Sequence, residues 1–430
     1  MKYVLFITVF FLSYQSNSQK HNVLDWINTN AIQIEDANPN SELLIFNNHI
    51  PEKFAGAKIF GFGEASHHGK EFFEIKAKFF KYLVQTKKVK VFIMEESYPA
   101  ESGINEWISG GAGDIKTIAN NFSIPVWYTK EIVELLEWMR NYNIKHPEGE
   151  QIRFFGMDIQ YVKNSNQKIR DFVKSRKIPI SEELLSIADT CANKQIDYKK
   201  ETDWAAIHIS SLRKIERILL DYKSNIKDAY DQEWNSIRRA ISYLISYTNY
   251  IQYHKSQERD VAMFENVKWI VQNETSNGKA FIWAHNEHIN NKELASYGSG
   301  WISLGAHLKE YYKEDYYSVG FDFGMGVLPG VLVKKGKPAG WRYYEMDKPF
   351  RNTYAKTLFD AVGDIYFIDI KQALESEASN FFSTKNKQLG LGGPGYNPRK
   401  YYLITKKYSE MFDGLIFVKR VSVPNYNLKD

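Results

Sequence analysis

The chain has one cysteine in 430 residues, Cys191. A lone cysteine excludes an intramolecular disulfide, and with no motif around it Cys191 reads as structural. Proline is scarce, with 12 in all, and none falls in three long helical patterns, Trp204–Lys223, Trp234–Lys255 and Arg259–Val271. Neither G-x-S-x-G nor H-E-x-x-H occurs, which leaves a serine nucleophile elbow and a zincin without support. The charge balance is slight, 56 Lys and Arg against 51 Asp and Glu for a formal +5. No basic run or arginine stripe accompanies it, so a nucleic-acid partner is not expected. No apolar run is long enough to span a bilayer. Internal repeats and low-complexity tracts are absent.

What is present is the composition of a globular protein, 43% hydrophobic and 25% charged, long enough for one large domain or two ordinary ones. Aromatic residues make up 15%; a Tyr- and Phe-rich core is the plainer account of them, beside a cleft for a bulky ligand. Residues 1–18 read as a signal peptide: Lys2 supplies a charge, a short apolar run follows, and Ser16-Asn17-Ser18 precedes Gln19. Export to a bacterial periplasm or the cell exterior is therefore expected. The mature chain would run from 19 to 430, with no lipid-bearing cysteine and no integral membrane span after cleavage.

Apolar runs alternate with helical patterns. Lys58–Phe62 reads as a first buried strand, and Glu71 to about Gln85 as a helix with Phe72, Ile75, Phe79 and Leu83 on its core face. Val89–Met94, Ile152–Gly156, Lys279–Ala284, Tyr316–Phe321 and Gly414–Val418 read as further strands. Thr129 is placed to cap a helix running to about Asn143. Strand signals stop between about 163 and 274, where a helical insertion forming a subdomain is expected. The class is α/β, a largely parallel central sheet flanked by helices. Several strands finish in ionisable groups: Glu64 and His67, Glu95, Asp158, His285 and His288, Asp322. Parallel strands bring such ends to one edge, which points to a shared active site.

Gly61-Phe62-Gly63-Glu64-Ala65-Ser66 is close to a dinucleotide-binding turn, but Ser66 replaces the third glycine and Glu64 sets a negative charge beside the would-be pyrophosphate. The P-loop spacing also fails, by one residue, and Glu71 stands where Ser or Thr should follow Lys70. The glycine-rich turn is instead expected to let backbone approach a ligand. Glu64 and His67, three apart, can meet across one turn, where a carboxylate fixes an imidazole's tautomer and raises its basicity. His285-Asn286-Glu287-His288 offers two imidazoles three apart, equally compatible with a metal site, a catalytic pair or polar capping.

Together these residues resemble the erythromycin esterase family, in blocks from about Phe60 to the C-terminus. The blocks are Gly63–His67 with Glu71–Lys76 behind it, Met94-Glu95, and Trp127 with Thr129, Glu131, Glu137–Arg140 and Asn143. Gly156-Met157-Asp158, Arg259-Asp260 with Met263 and Asn266, and Trp283–His288 complete the set. The resemblance implies a metal-independent hydrolase without a cofactor, in which a histidine activates water against an ester or macrolactone carbonyl. It makes His67 the general base, Glu64 and Glu95 the supporting carboxylates, and His285 a further catalytic group. Lys76, His288, Asn286, Asp158, Arg259 and Asp260 then line the substrate. Lys76 stands where some members carry arginine; it keeps the charge and loses the fork. Two other readings are a metal-dependent hydrolase built on the same histidines and a non-catalytic envelope binding protein of the same fold.

Overall fold

The computed structural model of the chain describes residues 22–101, 103–194, 204–224, 232–253, 256–294, 300–334, 337–389 and 403–426. The expected signal peptide, and a Gly- and Pro-rich loop read from Gly390 to Pro398, lie outside the described residues. No helix among those described is long and apolar enough to cross a membrane. The strands are β1 (Ile32–Gln33), β2 (Ile59–Phe62), β3 (Val91–Ser97), β4 (Arg153–Asp158), β5 (Ala280–Trp283) and β6 (Tyr316–Lys334). They continue with β7 (Lys337–Met346), β8 (Ile365–Asp369), β9 (Asn386–Leu389), β10 (Leu403–Lys406) and β11 (Gly414–Val421).

The chain divides into two compact units, Met1–Val89 with Thr129–Ile132 and Asn277–Asp430, and Lys90–Tyr128 with Val133–Ser276. In the first, strands run in the order β1-β8-β11-β6-β2-β5, with β7 added to β6. Pairing is parallel at β11–β6, β6–β2 and β2–β5, and antiparallel where β8 meets β1 and β11. Every residue of β2 and of β5 is buried, as expected where helices cover both faces of a parallel sheet. Phe46, Phe54, Phe60 and Phe62 fill the interior; Phe46 meets Phe54 edge-on at 5.2 Å and Phe62 stacks on Phe281 at 5.0 Å. The aromatic content of this unit is thus largely a core.

Helix Lys70–Lys87 carries its expected stripe, but burial extends to Lys76, Lys78 and Lys81. The polar loop before β2 explains the last two. Lys78 donates to Asp36 and Ser41 and Lys81 to Asn40, so their stems lie on apolar surface while their ammonium groups stay bonded.

β6 was expected to end at Phe321 and runs instead to Lys334. The glycines beyond Asp322 look like loop and serve as close approaches. A Cβ on Gly324 would meet Phe359, and one on Gly326, at φ +141°, would meet the Val421 carbonyl of the neighbouring strand.

In the second unit β3 and β4 pair in parallel, and the described residues between Asp158 and Ala280 form helices and no strand. These are Ser165–Ser175, Glu182–Asn193, Trp204–Ser224, Gln232–Tyr253 and Ser256–Glu274. Ile169, Phe172, Leu212, Ile215 and Leu244 share one cluster with Cys191. Burial pushes the Cys191 thiol up to about 11, so it packs as a small apolar residue and is a poor nucleophile.

Candidate active site

The parallel register sets Phe62 opposite both Trp283 and Val319, so the turns after β2 and β5 leave the sheet at one level. Backbone bonds lock that level: Gly63 N–H donates to Val319, Ala284 N–H to Phe62 and Asn286 N–H to Glu64. Gly63 is required here, though not for a ligand. A Cβ there would lie 2.2 Å from Asn286 Oδ1, so the space beside the turn belongs to Asn286. That side chain donates to the Phe321 carbonyl at 2.7 Å and accepts from the Phe321 N–H at 3.0 Å. With both ends of its amide bound to backbone, Asn286 clamps the turn to β6.

On this frame Glu64, fully buried, joins His67 Nδ1 to its Oε1 at 2.5 Å. Its other oxygen accepts from the buried ammonium of Lys76, which lies 4.0 Å from the centre of the Trp283 ring. The carboxylate therefore fixes the proton of His67 on Nδ1 and leaves the basic lone pair on Nε2. His285 accepts the Glu287 N–H on Nδ1 at 3.2 Å, which places its own proton on Nε2. The two imidazoles lie 4.9 Å apart, centre to centre. A base and a donor thus stand side by side over one sheet edge. His288 is buried in the short helix Asn286–Ile289, and Glu287 pairs with Lys406 at 2.8 Å.

The sequence matches the profile described as "Erythromycin esterase" over residues 84–421, more than half of the 430 residues. The chain belongs to the erythromycin esterase family. The Gly63–His67 turn lies upstream of that matched segment. Putative hydrolase YbfO of Bacillus subtilis (strain 168) is 23% identical over 432 residues, covering 92% of this chain and 90% of the relative. Erythromycin esterase type II of Escherichia coli is 24% identical over 336 residues, covering 70% and 78%. A solved Bacillus cereus protein shares the fold, with a TM-score of 0.81 at 23% identity, covering 94% of this chain and 98% of that one.

In this erythromycin esterase family member, the remaining expected site residues cluster in the second unit. Arg259 forks onto Asp158, with Nε to Oδ1 at 2.9 Å and Nη2 to Oδ2 at 2.7 Å, and reaches Glu95 Oε1 at 2.8 Å. Asp260 is fully buried beside it. Burial alone would lower the guanidinium, yet Asp158, Glu95 and Asp260 hold it well above its usual value. The structure thus brings together Glu64, His67, Lys76 and His285 in one unit, and Glu95, Asp158, Arg259 and Asp260 in the other.

Three further buried or partly buried groups lie outside the family blocks: Glu96, His68 and Asp322, the last noted only as a strand-end acid. Glu96 accepts the Ser97, Ser123 and Ile124 N–H groups at 2.6, 3.1 and 3.1 Å. Asp322 takes the Tyr408 hydroxyl at 2.5 Å, and burial pushes it up to about 6. His68, next to His67, meets the Tyr426 hydroxyl at 2.6 Å. Apart from Ser97, the partners stand far from these groups in sequence, and no local pattern marks them. Among the described residues no group of three or more His, Cys, Asp or Glu is arranged to hold a metal ion.

Burial pushes Glu96 from 4.5 up to about 8, against its three backbone donors. The folded chain then binds this proton more tightly than the unfolded one. The resulting stability is fully present below pH 4.5 and is lost as pH rises through about 8. Glu96→Gln should flatten that fall. Thermal denaturation of both proteins across this range tests it; parallel Tm curves would remove Glu96 as the source.

Proposed function

We propose that this chain hydrolyses a carboxylic ester or lactone with His67 as general base. The observation that carries the reading is the Lys76–Glu64–His67 series with the His285 ring 4.9 Å beyond it. His67 Nε2 takes a proton from water as its oxygen attacks the carbonyl carbon. The imidazolium formed is stabilised by Glu64, whose second oxygen Lys76 holds in place. The Nε2–H of His285 is a donor for the oxygen that becomes negative. When the C–O bond breaks, the leaving alkoxide takes the proton back from His67, giving an acid and an alcohol. Lys76, buried against Glu64 and Trp283, acts through Glu64 as a positioning residue.

Family membership supports a hydrolase, and the erythromycin esterase name of the Escherichia coli relative suggests the bond class. The test is incubation with a panel of macrolides and simple esters, read by mass spectrometry. At least one compound should gain one water. A folded protein that adds water to none of them would favour a binding role for the same fold.

A further inference from the structure

Trp341 and Tyr343 are 64% and 66% exposed on β7, an edge strand paired with β6. Two positions apart on a strand, they share a face and span roughly 6–7 Å, the width of a ring system. Burial of core area does not explain two large rings held in solvent side by side. Their place in the fold does more. The indole of Trp341 meets the ring of His68 edge-on, 5.3 Å between centres and 80° between planes.

His68 in turn contacts the hydroxyl of Tyr426, itself 37% exposed. Burial, with Glu131, Glu64 and Tyr343 close by, raises the Tyr426 phenol. Burial and the neighbouring His67 lower His68 to about 3, so its ring is neutral over a wide pH range. Trp341, His68 and Tyr426 therefore form a contiguous set of aromatic surfaces that starts one residue from His67, with Tyr343 two positions along the strand from Trp341.

We propose that Trp341, Tyr343 and Tyr426 form a ledge that binds a ring carried by the substrate beside its scissile ester. They are specificity-determining residues for the His67 reaction, and the proposal rests on the ester-hydrolase reading. Trp and Tyr suit this role because each offers a flat apolar face with a polar tip, so a ring can rest on the face while its substituents stay hydrated. The substrate class that follows is an ester with a saturated or aromatic ring in its alcohol or acyl part, preferred over open-chain esters.

The test compares the cyclohexylmethyl and ethyl esters of one acid, whose leaving alkoxides are chemically alike. In the wild type kcat/KM should favour the ring-bearing ester. In Trp341→Ala with Tyr343→Ala that preference should fall about tenfold, as expected for losing two aromatic contacts, with the loss in KM, and Trp341→Phe should restore most of it. A binding arm stands apart from turnover. The cyclohexylmethyl amide of the same acid, titrated calorimetrically, should bind the double variant about tenfold more weakly than the wild type. If that holds and no ester is cleaved, the ledge stands and the hydrolase reading falls. An unchanged preference and an unchanged amide Kd would overturn the ledge. So would self-association of the wild type that the double variant loses, which would assign this face to a second copy of the chain.

Discussion

His67→Ala should lower kcat on any ester the protein cleaves by about 10²–10⁴-fold, the range a positioned general base supplies, while leaving the fold in place. The geometry separates these effects. The His67 side chain is 15% exposed, whereas Glu64 and Lys76 are fully buried. Truncating His67 removes the proposed base and opens the Glu64 carboxylate toward solvent, with the Lys76 ammonium still bonded to it. Glu64→Gln is the poorer probe, because it leaves a buried ammonium without its counter-charge and mixes loss of chemistry with loss of stability. Turnover should be measured alongside Tm and far-ultraviolet circular dichroism. A folded His67→Ala protein with wild-type kcat would show that another group activates the water.

How much of this could be read from the residues depends on the distance each signal must cover. Glu64 and His67 sit three apart after an apolar run, so a one-turn contact was legible. Lys76 left a fainter trace. It lies four residues after Phe72 and three before Phe79, on the apolar stripe of its helix, where a charge needs a buried partner. The Asn286 clamp was hidden because a glycine beside a site can make room for a ligand or for a neighbouring side chain, and the spacing is the same for both. Strand direction was hidden too. Tyr366–Ile368 is a plain apolar run, and nothing in it says that β8 lies antiparallel to β11. β3 runs on through Glu95 to Ser97, past the expected end at Met94. Both acids are satisfied by partners remote in sequence, Arg259 for Glu95 and the loop at Ser123 and Ile124 for Glu96.

Arg259→Met should destabilise the protein by about 3–5 kcal/mol, the usual cost of breaking a buried ion pair from one side. At the scale of a unit this size that is a fall in Tm of roughly 6–20 °C. Arg259 is itself buried, and its fork and its reach to Glu95 neutralise two carboxylates that are 0% and 3% exposed. Asp158 does further structural work by accepting the Ile159 N–H and the Gln160 amide, both at 2.7 Å, so it cannot turn away when its counter-ion is lost. Methionine fills much of the arginine's volume, so packing accounts for little of the loss and charge for most of it. Arg259→Lys should fall between the methionine variant and the wild type, keeping the charge and losing the two-pronged contact. A methionine variant with wild-type Tm at neutral pH would mean that the carboxylates find another partner. A lysine variant that folds normally but turns over no ester would instead support the substrate-binding role expected for Arg259.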